Sequence, residues 1–303
     1  MASDDTIRLD AQGDPPPGGG GDGGDGGDGG DGGDGASSGG RDLPRAVASG
    51  LGLGALVLGS LLFVQALFVV VVAIAMCLAC WEFSRAFAAH DIALPRIPLY
   101  ASCLAIVGAA YVGGADWHLA ATAICTLATL LWLMNQGIDG FVRNATASVF
   151  AIAYVPFLAG FVALLLRDNE GVAAIIVFIA VTVSSDIGGY FAGSRFGKHQ
   201  LAPNISPKKS WEGAAGSVVL SSVVAVILVM TLLGGAWWVG LLLGPATVVT
   251  ATLGDLVISV FKRDLGIKDM SQIIPGHGGL MDRLDSLLAT VAPAWIVLHF
   301  AVL

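Results

Sequence analysis

From residue 46 onward the chain is a succession of apolar runs, and most approach the ~20 residues that a helix needs to cross a bilayer. Nine can be delimited: 46–62, 66–88, 97–115, 117–134, 145–166, 171–193, 213–234, 237–261 and 284–303. Hydrophobic residues make up 55% of the 303 and charged residues 13%, roughly half the charged share of a soluble domain. A soluble globular fold is therefore excluded. The expected fold is all-α and polytopic, with about nine transmembrane helices over 46–303. Cys77, Cys80, Cys103 and Cys125 all lie inside apolar runs. They are read as small packing residues rather than a disulfide framework or a zinc site.

The net charge of −8 belongs to one segment. Residues 1–45 hold ten Asp against three Arg, and the remaining 258 hold thirteen acids against twelve bases. Within that segment Asp recurs at 22, 25, 28, 31 and 34 between Gly-Gly pairs. Such a repeat has no apolar residue to offset the entropy of ordering, so 1–45 is expected to be a disordered tail. The basic residues set topology. With the N-terminus in the cytoplasm, nine spans put fourteen of the fifteen Lys and Arg on the cytoplasmic side and only Arg167 outside. This is a strong positive-inside bias. It predicts a multi-pass protein of the cell (inner) membrane with its C-terminus on the opposite face.

Polar residues concentrate in two connections on the cytoplasmic side. One runs from Ser184-Ser185-Asp186 through Ser206-Pro207-Lys208-Lys209-Ser210-Trp211-Glu212-Gly213. The other begins at Gly254-Asp255 and passes Ser259, Lys262, Arg263 and Lys268. It ends at Gly276-His277-Gly278-Gly279-Leu280-Met281-Asp282-Arg283-Leu284-Asp285. Asp255, Ser259 and Lys262 are spaced by four and three, so they share a helical face. Asp255 and Asp186 each lie roughly 9 Å inside the cytoplasmic end of a span, at 1.5 Å per residue. An ionised Asp at such depth costs at least ~2.5 kcal/mol unless paired or hydrated. Two at one level point to a shared wet pocket, and Asp282 and Asp285 add two carboxylates on one face of the last span. Hard cations such as Mg²⁺ take one or two carboxylates plus substrate phosphates, while Lys and Arg neutralise the remaining phosphate charge. This set fits phosphoryl or nucleotidyl transfer, whose catalysis is mainly positioning and charge stabilisation. No G-x4-G-K-[ST] loop is present, which argues against a P-loop ATPase. His277, between glycines, is a candidate phosphate contact. His90, His118, His199 and His299 are read as packing or interfacial residues, and Glu82 and Arg85, three apart, as a local ion pair.

At these residues the chain resembles the phosphatidate cytidylyltransferases (CDP-diacylglycerol synthases). Their signature is S-x-[aliphatic/F]-K-R-x4-K-D-x-[GSA]-x2-[LIF]-[PG]-x-H-G-G-[aliphatic/F]-x-D-R-x-D. Ser259 to Asp285, SVFKRDLGIKDMSQIIPGHGGLMDRLD, meets every specified position. The stretch SSDIGGYFAGSRFGKHQLAPNISPKKSWEG is similar to a second block of that family, with Gly189 and Ser210 where Ala and Thr are common. The resemblance covers about residues 46–303. It implies a helical, dimeric membrane enzyme that joins CTP and phosphatidic acid into CDP-diacylglycerol and pyrophosphate, with no nucleic acid as partner. It also implies Mg²⁺, with a second cation such as K⁺ sharing the acidic cluster. Asp255 and Asp282 match metal-binding carboxylates, and Asp285, Ser259 and Lys262 match residues beside them. With Asp186, the carboxylates form the expected metal set. Lys262 and Arg263 are expected to stabilise the reacting phosphates. Ser206, Lys208, Lys209, Ser259, Lys268, His277 and Arg283 are expected to bind substrate. Two other readings are a CTP-dependent polyprenol or phytol kinase and an ion-coupled transporter. The transporter would place its ionisable groups near the midplane among broken helices, whereas here they crowd the cytoplasmic third.

Overall fold

A computed structural model describes residues 39–271, 273 and 278–303. His277 and most of the Asp/Gly tail lie outside the described residues. The unit that packs together begins at Gly39, a few residues before the tail boundary expected at 45. In chain order its elements are α1 (Gly39–Phe63), α2 (Gln65–Ala88), α3 (Arg96–Gly113), α4 (Ala115–Met134), α5 (Phe141–Ile152), α6 (Leu158–Arg167) and α7 (Gly171–Phe196). A hairpin of β1 (Gln200–Ala202) and β2 (Ser206–Ser210) follows, then α8 (Trp211–Leu232), α9 (Trp237–Asp264) and α10 (Met281–Ala301).

Among the described residues eight helical segments are long and apolar enough to cross a membrane, so the fold is an all-α polytopic membrane fold. Their ends agree with the spans read from the sequence to within about four residues. The expected first span, 46–62, falls inside the 25-residue helix α1, of which Gly52–Phe63 is the apolar stretch among the described residues. The break after it falls at Val64, which is extended at φ −146° and ψ 96°. The small antiparallel hairpin is an addition to the helical reading. Pro156 interrupts one long rod, because its ring cannot accept the preceding turn and its nitrogen has no hydrogen to donate. The chain answers with a π turn, Ala153–Phe157, that joins α5 to α6.

Close packing of small residues draws the helices together, as expected where lipid is as apolar as the side chains. At Gly240 of α9 an added Cβ would lie 2.4 Å from the Val226 backbone of α8, and at Gly244 it would lie 2.5 Å from Ser222 Oγ. Ser217 of α8 donates to the Ser185 carbonyl of α7 at 2.6 Å. An aromatic cluster joins α2 to α5 and α9, with Phe83, Phe87, Phe150 and Phe261 at centroid distances of 4.5 to 6.3 Å. The cysteines are free, and Cys80 and Cys103 pack with sulfurs 3.5 Å apart.

The bundle has two chemically different ends. At one, Arg96 of α3 donates to Ser84 of α2 at 3.0 Å, and Asn144 at the start of α5 accepts from the Ala93 amide at 3.0 Å. The hairpin, the end of α9 and the start of α10 lie there too. At the other end His299 meets Asp168 at 3.1 Å, and the Gly235 turn packs on Val302. Of the twelve Lys and Arg after residue 45, eleven belong to the first end and Arg167 to the second. The segregation read from the sequence is thus a property of the fold.

Glu82 does not pair with Arg85. Its carboxylate turns into the bundle to meet the start of α10, while the Arg85 guanidinium lies 5.5 Å from the Trp81 ring centroid. A fully buried carboxylate needs several donors, and a neighbour on the outer face of the same helix cannot supply them.

The α8–α9 seam gives a direct check. Gly240→Leu forces those helices apart and is expected to cost about 2–3 kcal/mol of packing. A fall of several °C in the unfolding midpoint of the detergent-solubilised protein is the predicted reading; an unchanged midpoint contradicts the close approach.

Candidate active site

The site is assembled from three parts: the end of α7 with the hairpin after it, the last two turns of α9, and the first turns of α10. The hairpin is fixed at its base. Ser210 is the N-cap of α8 and accepts from the Gly213 amide at 3.1 Å, the usual use of a serine in that position. Glu212, in the first turn, accepts from the Lys198 and His199 amides at 3.1 and 3.2 Å, and meets the His199 ring at 2.6 Å. These contacts hold β2, with Lys208 and Lys209, over the end of α9.

The carboxylates meet where α9 and α10 touch. At Gly254 an added Cβ would be 2.6 Å from the Asp285 carbonyl oxygen and 2.5 Å from Ala289 Cβ. The absent side chain allows the Asp285 carboxylate, in a residue 7% exposed, to come beside that of Asp255. Asp255 also forms an ion pair with Lys209 of the hairpin at 2.5 Å. The Tyr154 hydroxyl, from the π turn, donates to the Gly254 carbonyl at 3.1 Å. Asp186 of α7 lines the same cavity of about 330 Å³ as Asp255, Lys208, Lys209, Ser206 and Ser286. The shared pocket inferred from the depths of Asp186 and Asp255 is therefore present.

Further toward this end lies a second, cationic cavity of about 560 Å³. Ser206, Lys208, Ser259, Lys262, Arg263 and Lys268 line it. Ser206 and Lys208 belong to both cavities, so the hairpin separates a carboxylate-lined hollow from a cationic one. Asp282 connects this level to α10. Its Oδ1 accepts from Lys262 Nζ at 2.8 Å, and its Oδ2 accepts from the Met270 and Gly279 amides at 2.9 and 3.2 Å.

The expected ligand pair is thus staggered. Asp255 faces Asp285, while Asp282, one turn before Asp285, faces Lys262. Arg263 and Lys268 line the cationic cavity, and Arg283 stands in the first turn of α10. His277 lies outside the described residues. Among the described residues no three His, Cys, Asp or Glu side chains form a ready-made metal cage. The paired carboxylates of Asp255 and Asp285, with Asp186 in the same hollow, nevertheless suit a hard cation that takes one or two carboxylates and completes its shell with water and phosphate.

Sequence reasoning missed Tyr154, Glu212 and the destination of Glu82. Glu82 carried a usable signal, since an acidic residue inside a span is a functional candidate by default. Tyr154 carried none, because its reach to α9 depends on the π turn.

Fold and site together define a polytopic membrane protein with an acidic and a cationic hollow at one end, suited to polyanionic substrates. Residues 45–301 match the Cytidylyltransferase family, and the chain belongs to that family. It is similar to a phosphatidate cytidylyltransferase of Mycobacterium leprae, 38% identical over 281 residues that cover 86% of this chain and 88% of the relative. A Pseudomonas aeruginosa protein of that name is 35% identical over 269 residues, covering 86% and 97%. One from Haemophilus influenzae is 42% identical over 159 residues, covering 49% and 55%.

If Glu212 fastens the hairpin, Glu212→Ala frees it without disturbing the bundle. Trypsin is expected to cut after Lys208 or Lys209 roughly tenfold faster, because cleavage follows the population of the opened segment. Unchanged cleavage contradicts that role.

Proposed function

We propose that this chain transfers the cytidylyl group of CTP to phosphatidic acid, giving CDP-diacylglycerol and pyrophosphate. The observation that carries this reading is the folding of the Ser259–Asp285 signature. Its cations Lys262, Arg263 and Lys268 line one hollow, and its Asp285 stands beside Asp255, which with Asp186 lines the next; Ser206 and Lys208 of the hairpin border both.

The reaction is a displacement at the α-phosphorus of CTP. A phosphate oxygen of phosphatidic acid forms the new P–O bond, and the bond to the β-phosphate bridging oxygen breaks. Its electron pair leaves with pyrophosphate. No general base is required, because a phosphate monoester with a second pKa of about 6 is largely ionised at neutral pH. The obstacle is repulsion between two anions. Lys208, Lys262, Arg263 and Lys268 gather the triphosphate and stabilise the departing pyrophosphate, with Ser206 and Ser259 as neutral donors. Lys209, held by Asp255, lines the acidic hollow next to Lys208, which borders both hollows; there the phosphatidate phosphate would meet the α-phosphate.

Asp255, Asp285, Asp282 and Asp186 are the residues that would hold Mg²⁺, with K⁺ as a second cation. Bound there, the metal would supply Lewis-acid neutralisation of the phosphate oxygens. The lysine-rich end faces the cytoplasm of the cell membrane, in keeping with eleven of twelve cations at that end. The N-terminus is then cytoplasmic and the C-terminus opposite. The working unit is a homodimer in the bilayer.

Purified protein supplied with CTP labelled in the cytidine, phosphatidic acid and Mg²⁺ is expected to put label into lipid. A CTP-dependent lipid kinase leaves that label in water-soluble CDP, which would overturn the assignment. Asp255→Asn and Asp282→Asn are each expected to lower turnover by at least about 10²-fold, the scale of losing a charge-stabilising group, in protein that still inserts. Near-normal turnover in both contradicts the roles given to these carboxylates.

A further inference from the structure

Glu82 lies in neither hollow, yet it is 0% exposed, and among the described residues its bonds converge on the signature segment. Its Oε1 accepts from the Leu280 amide at 2.8 Å and from the Ser271 hydroxyl, and its Oε2 accepts from the Met281 amide at 2.7 Å. These donors are the open N–H groups at the start of α10 and one side chain of the loop before it. We infer that Glu82 is a positioning residue, which sets the height and register of the acidic turn of α10 against α9. The inference deepens the reading of the site given above and rests on it for its catalytic consequence.

Three observations support the assignment. The first is electrostatic. A desolvated carboxylate is costly unless its oxygens are satisfied. The N-terminus of a helix supplies both donors and partial positive charge, so Glu82 is stable only while α10 starts at this place. The second is steric. An added Cβ at Gly279 would lie 3.0 Å from Glu82 Oε1, 2.9 Å from Asp282 Oδ2 and 3.0 Å from the Ser271 amide. The signature glycine at that position is therefore the clearance that lets two carboxylates grip the loop together. The third is mechanical. The next residue, Phe83, is wholly buried and meets Phe261 at 6.3 Å between centroids, as Phe87 does at 5.8 Å. Phe261 immediately precedes Lys262. One stretch of α2 thus touches α9 beside Lys262 and α10 just before Asp282, and fixes the level at which Lys262 and Asp282 meet.

The contact also assigns the α10 N-terminus. Such a terminus is otherwise a ready phosphate site, but Leu280 and Met281 spend their amides on an internal anion. The nucleotide phosphates are left to the cationic hollow.

The test uses Glu82→Gln and Ser271→Ala in the full-length protein. Gln keeps the size of Glu but turns an amide donor toward a backbone donor. Ser271→Ala removes the hydroxyl's bond to Glu82 and the one it accepts from the Ile273 amide, and spares the fold if the first variant does not fold. In Glu82→Gln, hydrogen exchange of peptides covering 278–284 is expected to rise about tenfold or more, with the other helices unchanged. The Mg²⁺ concentration for half-maximal turnover is expected to rise on the order of tenfold, the usual effect of losing a support behind ligands. KM for CTP at saturating Mg²⁺ should stay within about twofold, since the cationic hollow is untouched. Ser271→Ala should move both readings in the same direction by a smaller factor. Exchange and Mg²⁺ dependence equal to the wild type in both variants would overturn the inference. So would a loss of turnover matched only by loss of folded protein. If the wild type makes no CDP-diacylglycerol, the proposed reaction fails, while the exchange measurement still decides whether Glu82 fixes the start of α10.

Discussion

Everything chemical in this molecule depends on bringing two carboxyl groups, Asp255 and Asp285, side by side within a largely apolar bundle. Repulsion and desolvation both oppose that arrangement. It exists because Gly254 removes the side chain that would hold α9 and α10 apart, and because Lys209 reaches over from the hairpin to Asp255. Tyr154 adds a hydroxyl to the Gly254 carbonyl at the same level. Keeping these carboxyls together costs stability, in keeping with the cation proposed to bind between them.

The surrounding structure is a set of clamps on the two connections that carry the site. Two carboxylates outside the hollows do equivalent work on the two connections: Glu212 closes the base of the hairpin, and Glu82 receives the start of α10. In each case an acidic side chain accepts backbone amides that the local chain leaves open. Asp282 serves both purposes, since it grips the Met270 and Gly279 amides while it pairs with Lys262. The result is a graded end of the bundle, with carboxylates deeper and cations nearer the surface, matched to a lipid phosphate and a soluble triphosphate.

The sequence made the helices legible because apolar length is a strong signal in a membrane protein, and eight spans could be delimited closely. The shared pocket of Asp186 and Asp255 followed from depth along two helices, a quantity that sequence spacing gives directly. Side-chain pairing between helices was not legible. Glu82 looked like a partner for Arg85 at three residues' distance, but burial faces it toward α10, some 200 residues away in the chain. The stagger of Asp255 and Asp282 was hidden for the same reason, because the register of α9 against α10 is set by α2 and by Gly254.

The most direct test of this account is the position of a bound divalent ion. Anomalous scattering from crystals grown with Mn²⁺ and CTP reads it without reference to turnover. The account predicts a peak bounded by the carboxylates of Asp255, Asp285 and Asp282, with the nucleotide phosphates on its cationic side. A structure with CTP bound and Mn²⁺ located away from all three carboxylates would contradict it.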